Sequence, residues 1–204
     1  TIYDGSGSSP VVGDLAIDGD RIVAMGDLGR VVGRTEIEAR GLAVAPGFIN
    51  MLSWASVSLI EDGHSQSDIR QGVTLEVMGE GNPMGPLNEA MKEEALRRQG
   101  DTKFEIEWTS LDEYLRYLEN RGVSTNVASF IGAATPREMV IGYDDRAPTT
   151  EELDEMRAIV RTAMEEGAMG VASALIYPPG SFAEPEELLA LAEVAAEYDG
   201  MYIS

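Results

Sequence analysis

From Leu42 onward the chain alternates short apolar runs with amphipathic helical stretches, and this alternation restricts the fold more than any other feature. Strand-like runs are predicted over 43–51, 73–78, 125–132 and 169–177, and 201–204 opens a fifth. A helix over 111–121 starts with a capping box, Ser110 as N-cap and Glu113 three residues on, and stops at Gly122. Thr149 and Glu152 form a second box, heading a helix that runs to Gly167. A third helix has Pro185 in its first turn and carries Leu188, Leu189, Leu191, Ala192 and Ala195 on its expected buried side. Strands that alternate with helices pair into a parallel sheet with right-handed crossovers. Two architectures satisfy that pattern. Five strands with about four crossovers make an ordinary doubly wound open sheet, or half the set of a (β/α)8 barrel.

The first 42 residues have a different texture. Leu15-Ala16-Ile17 and Arg21-Ile22-Val23-Ala24-Met25 flank Asp18-Gly19-Asp20, a hairpin turn. Glu36-Ile37-Glu38-Ala39-Arg40 alternates polar and apolar residues as a half-buried strand would. A small β module is expected here. The chain opens without methionine in a strand-like segment and stops inside a strand, so the reading expects more protein on either side.

Of 204 residues, 44% are hydrophobic and 25% charged, the balance of a soluble chain with a substantial core. No run approaches the roughly 18 apolar residues of a spanning helix. The net charge of −21, from 36 acidic and 15 basic residues, repels phosphate backbones and anionic lipids. Neither nucleic acid nor membrane is therefore expected as a partner. With no cysteine there is no thiolate metal site, and with one histidine, His64, no His-based metal cluster. No targeting segment precedes Thr1, so a cytoplasmic location is the expectation.

In parallel α/β folds the chemistry gathers at the C-terminal ends of the strands, which directs attention to 50–54, 79–85, 131–137 and 175–180. The glycines at 79, 81 and 85 do not match a dinucleotide fingerprint, because Met84 stands where glycine is needed. Glu80 in this loop is a candidate metal ligand or base, and a solvated loop acid is the competing reading. Tyr177, followed by Pro178-Pro179-Gly180, is a candidate donor to a developing oxyanion, against an aromatic plug at the top of the core. Arg137 is a candidate partner for a carboxylate in the site or on a substrate, against a surface arginine at a helix end. His64 lies in a polar stretch and reads as solvated, while Trp54 and Met84 read as packing residues.

Taken together, these segments resemble a known family. Thr1-Ile2-Tyr3-Asp4-Gly5-Ser6-Gly7 and Gly13-Asp14-Leu15-Ala16-Ile17-Asp18-Gly19-Asp20-Arg21-Ile22 are similar to the start of amidohydrolase-superfamily enzymes. Ala45-Pro46-Gly47-Phe48-Ile49-Asn50 resembles that family's first barrel strand, and Gln71-Gly72-Val73-Thr74 its second. Asn126-Val127-Ala128 and Ala172-Ser173-Ala174-Leu175-Ile176-Tyr177-Pro178-Pro179-Gly180 are similar to the N-acyl-D-amino-acid deacylase (D-aminoacylase) branch. The resemblance runs in order along nearly the whole chain.

It implies a partial (β/α)8 barrel of about four βα units and a fifth strand over 43–204, with 1–42 as part of a small β-sandwich. It further implies a metal-dependent hydrolase of N-acyl amino acids or a related small amide, in which zinc activates the attacking water. A small-molecule substrate follows, and a homo-oligomer is left open. Two departures stand out. Where the family's first strand ends in Asp-x-His-x-His, this chain has Asn50-Met51-Leu52-Ser53-Trp54, so Leu52 and Trp54 occupy the histidine positions. Where the branch has a metal-binding cysteine, this chain has Gly81, with Glu80 beside it. The other family ligands would lie beyond Ser204. Tyr177 matches a family tyrosine that polarises the scissile carbonyl. A non-catalytic scaffold that lost its first-strand histidines is the alternative.

Overall fold

Asp-Gly turn chemistry forms the N-terminal hairpin where it is predicted. β1 (Asp14–Asp18) and β2 (Arg21–Gly26) pair antiparallel, with a bulge between the Ile17↔Ile22 and Ala16↔Ala24 pairs. The computed structural model describes residues 1–80, 84–101 and 103–204. These divide into two compact units, Thr1–Gly47 and Phe48–Ser204. In the first, the backbone of Ile2 bridges to Val11 and Val44, and Ile2 is its one buried residue among those described. The strand expected over 36–40 does not form. Glu36 and Glu38 accept from the N–H groups of Gly33 and Arg40 instead, so local side-chain bonds replace a ladder.

The second unit begins with β3 (Phe48–Asn50), two single-turn helices α1 (Ser58–Glu61) and α2 (Gln66–Ile69), and β4 (Val73–Met78). Next come α3 (Glu89–Arg98), α4 (Leu111–Arg121), β5 (Asn126–Ser129), β6 (Ile131–Gly132) and α5 (Ala134–Val140). It continues with α6 (Thr150–Glu165), β7 (Gly170–Ala172), a 3-10 turn Gly180–Phe182, α7 (Pro185–Ala196) and β8 (Met201–Ile203). All strand pairs here are parallel, in the orders β3-β4-β5 and β6-β7-β8. The fold is therefore α/β with parallel sheets.

The run expected as one strand over 125–132 is interrupted at Phe130, so it pairs with β4 before the break and with β7 after it. Phe130 N–H still donates to the Met78 carbonyl (2.8 Å), and Met169 N–H to Ser129 (2.9 Å). Gly79 permits this junction. A Cβ there would stand 2.0 Å from the Phe130 carbonyl oxygen, and its φ is 101°. The fourth strand is shorter than 169–177 because Ala174 to Tyr177 folds into a turn, Tyr177 N–H donating to the Ala174 carbonyl (3.2 Å).

Side chains on alternate sides of the sheet enter two apolar clusters, as in a parallel sheet buried on both faces. The larger packs Met78, Ile131 and Val171 against Leu59, Leu111, Leu118, Met156, Val160, Leu191 and Val194. The smaller holds Val77, Phe130 and Ala172. Both capping boxes form as read. The buried face of α7 is Glu187, Ala190, Leu191, Val194 and Ala195, a continuous i, i+3, i+4 stripe. Leu189, expected inside, is exposed because the helix is turned to bring Glu187 in. No helix among the described residues is long and apolar enough to cross a membrane.

Candidate active site

Parallel strands bring their C-terminal ends to one edge of a sheet, and the three candidate residues follow the C-terminal ends of β4, β6 and β7. Glu80 lies two residues beyond β4, half-buried. Among the described residues no group of three or more His, Cys, Asp or Glu side chains converges to hold a metal ion, so Glu80 belongs to no such group there. Gly81, the nominal cysteine position, lies outside the described residues. Leu52 and Trp54, just beyond β3, are 55% and 61% exposed, so Trp54 is not the packing residue expected, whereas Met84 is buried. His64 sits at the opposite edge. Its loop is held by Ser124 N–H donating to the Gly63 carbonyl (2.8 Å), just before β5 begins. His64 Nδ1 lies 2.9 Å from Asp62 Oδ1, and hydrogen bonds from the His64 backbone and ring hold the Asp62 carboxyl below its usual range.

Tyr177 follows β7 in a closed turn. Its N–H donates to Ala174, and its carbonyl accepts from Ser181 N–H (2.9 Å). The side chain is 58% exposed, so it does not plug the core. Among the described residues its hydroxyl has no hydrogen-bond partner in the protein, which leaves the phenol free for a ligand.

Arg137, read from sequence in a strand-end loop, lies within α5 and is fully buried. Nη1 donates to Glu187 Oε2 (2.6 Å), and Nη2 donates to the carbonyls of Asp144 (3.0 Å) and Arg146 (2.6 Å). The carboxylate it meets is thus one of the protein's own. Burial holds the Glu187 carboxyl above its usual range, and the Arg137 charge and hydrogen bond offset only part of that rise. Arg137 Nε and Glu187 Oε1 are buried without partners among the described residues.

Two polar pairs were not found from sequence. Asn50 Nδ2 donates to Glu76 Oε2 (3.1 Å) across β3 and β4, and Glu76 is fully buried with its other oxygen unpartnered among the described residues. The signal was present, since Glu76 is the one charged residue inside the run 73–78. Ser173 Oγ and the Tyr202 hydroxyl lie 2.6 Å apart, joining the ends of β7 and β8. No sequence signal marked that pair, because it depends on strand register. Tyr177 and Glu80 thus each lie just beyond a strand end, one an exposed phenol and the other a half-buried carboxylate. A phenol of this kind can donate to a developing oxyanion, and the described residues by themselves do not enclose a metal.

No family model matches the chain. It is 34% identical over 190 residues, 93% of its length, to N-acyl-D-aspartate deacylase of Alcaligenes xylosoxydans xylosoxydans. It is 33% identical over 206 residues, 99% of its length, to D-aminoacylase of the same organism. These matches cover 38% and 42% of those proteins, so the chain spans about two fifths of the curated relatives' length. Among solved structures, it matches N-acyl-D-glutamate deacylase from Bordetella bronchiseptica, complexed with zinc and a phosphonate inhibitor mimicking the tetrahedral intermediate. That match has a TM-score of 0.84 and 31% identity, covering 98% of this chain and 42% of that one.

Proposed function

The chain is a D-aminoacylase-like relative of the N-acyl-D-amino-acid deacylases within the amidohydrolases, and on that premise we propose that its protein hydrolyses the amide bond of N-acyl-D-amino acids. The observation that carries this reading is the colinear match to two named deacylases over 93% and 99% of the chain. Because these relatives are enzymes, the non-catalytic scaffold is not favoured.

In this proposal residues 43–204 form the first half of a (β/α)8 barrel and 1–42 part of a β-sandwich. The sequential strand order supports the barrel, since a doubly wound sheet reverses its order at a switch point and no reversal occurs among the described strands. The exposed Tyr177 phenol would donate to the amide carbonyl oxygen as negative charge develops there. Zinc, when bound, would activate the attacking water. Glu80 is the one residue in this chain we assign to it, and the remaining ligands would come from residues outside 1–204.

The test uses the full-length protein with N-acetyl-D-glutamate, N-acetyl-D-aspartate and N-acetyl-D-methionine beside their L-isomers. Turnover of a D-isomer is expected, with Tyr177→Phe lowering kcat by about ten- to a thousand-fold. No turnover of any D-isomer by zinc-loaded protein would sink the reading.

A further inference from the structure

We infer that Arg137 is a positioning residue, which ties together two neighbouring strand-to-helix connections through Glu187 and thereby holds Tyr177 in place. The inference rests on the role proposed for Tyr177. The connection from β6 to α6 contains α5 and the segment 141–149. The connection from β7 to α7 contains the Tyr177 turn and leads into α7, whose first turn carries Glu187. The Arg137–Glu187 pair is the buried link between them.

Further contacts on both sides of the pair show how it is built. Nη2 of Arg137 fixes the carbonyls of Asp144 and Arg146, and the Arg146 side chain reaches on to Glu152 in α6 (2.7 Å). Ala133 N–H donates to the Ala172 carbonyl (2.7 Å), pinning the start of α5 to the end of β7. A Cβ on Gly180, which closes the Tyr177 turn, would lie 3.5 Å from the Ala134 Cβ and 3.6 Å from the Ala174 carbonyl oxygen. The turn thus lies beside the first residue of α5, one helical turn before Arg137, with room there for no more than a methyl group.

The geometry of the pair is informative. Arg137 makes one bond to Glu187 and leaves Nε and Glu187 Oε1 without partners, although a guanidinium and a carboxylate favour two parallel bonds. The two carbonyl bonds from Nη2 hold the guanidinium in this offset position. The arrangement serves the loop backbone as much as the ion pair. A fully enclosed guanidinium also has no surface to offer a substrate.

The experiment is a double-mutant cycle in the full-length, zinc-loaded protein. Arg137→Lys keeps a charge for Glu187 but lacks the fork that reaches both carbonyls. It is expected to lower kcat about ten-fold with KM within about two-fold, since small misplacements near a reacting centre cost rate. The double variant R137K/Y177F is expected to be no slower than Tyr177→Phe alone within about two-fold, because the two changes remove one interaction. Independent, multiplying losses would overturn the inference. So would a raised KM with unchanged kcat, which would return Arg137 to substrate contact. Hydrogen exchange supplies a readout without activity. Amides of 174–184 should exchange faster in Arg137→Lys while those of 111–121 are unchanged, and unaltered exchange over 174–184 would overturn the positioning role. If Tyr177→Phe alone leaves turnover intact, the role of Tyr177 falls, and exchange alone decides the positioning. Should Arg137→Lys fail to fold, Glu187→Gln, which keeps size and an acceptor, carries the same measurements.

Discussion

Glu152 serves two neighbours with one carboxylate. It takes both Nη groups of Arg146 (2.7 Å each) and the N–H of Thr149 (2.8 Å) that opens α6. The Arg146 hydrogen bonds first, and the Thr149 bond second, hold its pKa down at about 2, from an ordinary 4.5. A carboxyl depressed in the folded state stabilises fully above its unfolded value, and that stabilisation is lost as pH falls toward the folded one. The difference in melting temperature between wild type and Glu152→Gln should therefore hold from pH 7 to about 5, then shrink as pH falls toward about 2. A difference that stays constant to about pH 2 would disprove the assignment. Residue-level reading from sequence was partial for a related reason. Strand-end logic singled out Glu80, Tyr177 and Arg137, but the burial of Arg137 depends on Glu187, 50 residues away.

At the level of elements, α4 shows both what a sequence announces and what it withholds. Ser110 accepts from Glu113 N–H, and Glu113 reaches back to the N–H groups of Thr109 and Ser110, as the capping box predicts. The N–H groups of Leu111 and Asp112 go instead to Glu166 Oε2 (3.0 and 3.4 Å), from the residue that caps the end of α6. This shared terminus joins two helices through one carboxylate, so Glu166→Ala should destabilise the protein by about 1–2 kcal/mol in denaturant melts. A loss below a few tenths would mean water replaces it at no cost. Helices with caps and a clear stripe were legible. In contrast, α3 buries no residue and α5 follows directly on a strand, so neither shows the periodicity that marks a helix.

Across the whole molecule, an excess of 21 negative charges sets a general repulsion that no single ion pair removes. Going from about 0.01 M to 1 M salt shortens the Debye length from about 30 Å to 3 Å. The melting temperature should therefore rise with salt, and a fall would show that attractive pairs outweigh the repulsion. The sequence by itself determined the parallel α/β class, the N-terminal hairpin and three helices. Each of these rests on periodicity, caps or turn residues within about ten positions of one another. The tertiary structure alone decided that the run 125–132 breaks at Phe130, that α7 turns Glu187 inward rather than Leu189, and that Arg137 is enclosed rather than presented. Those outcomes depend on which distant groups arrive at the same place, and burial and pairing energies across the fold override local preference there.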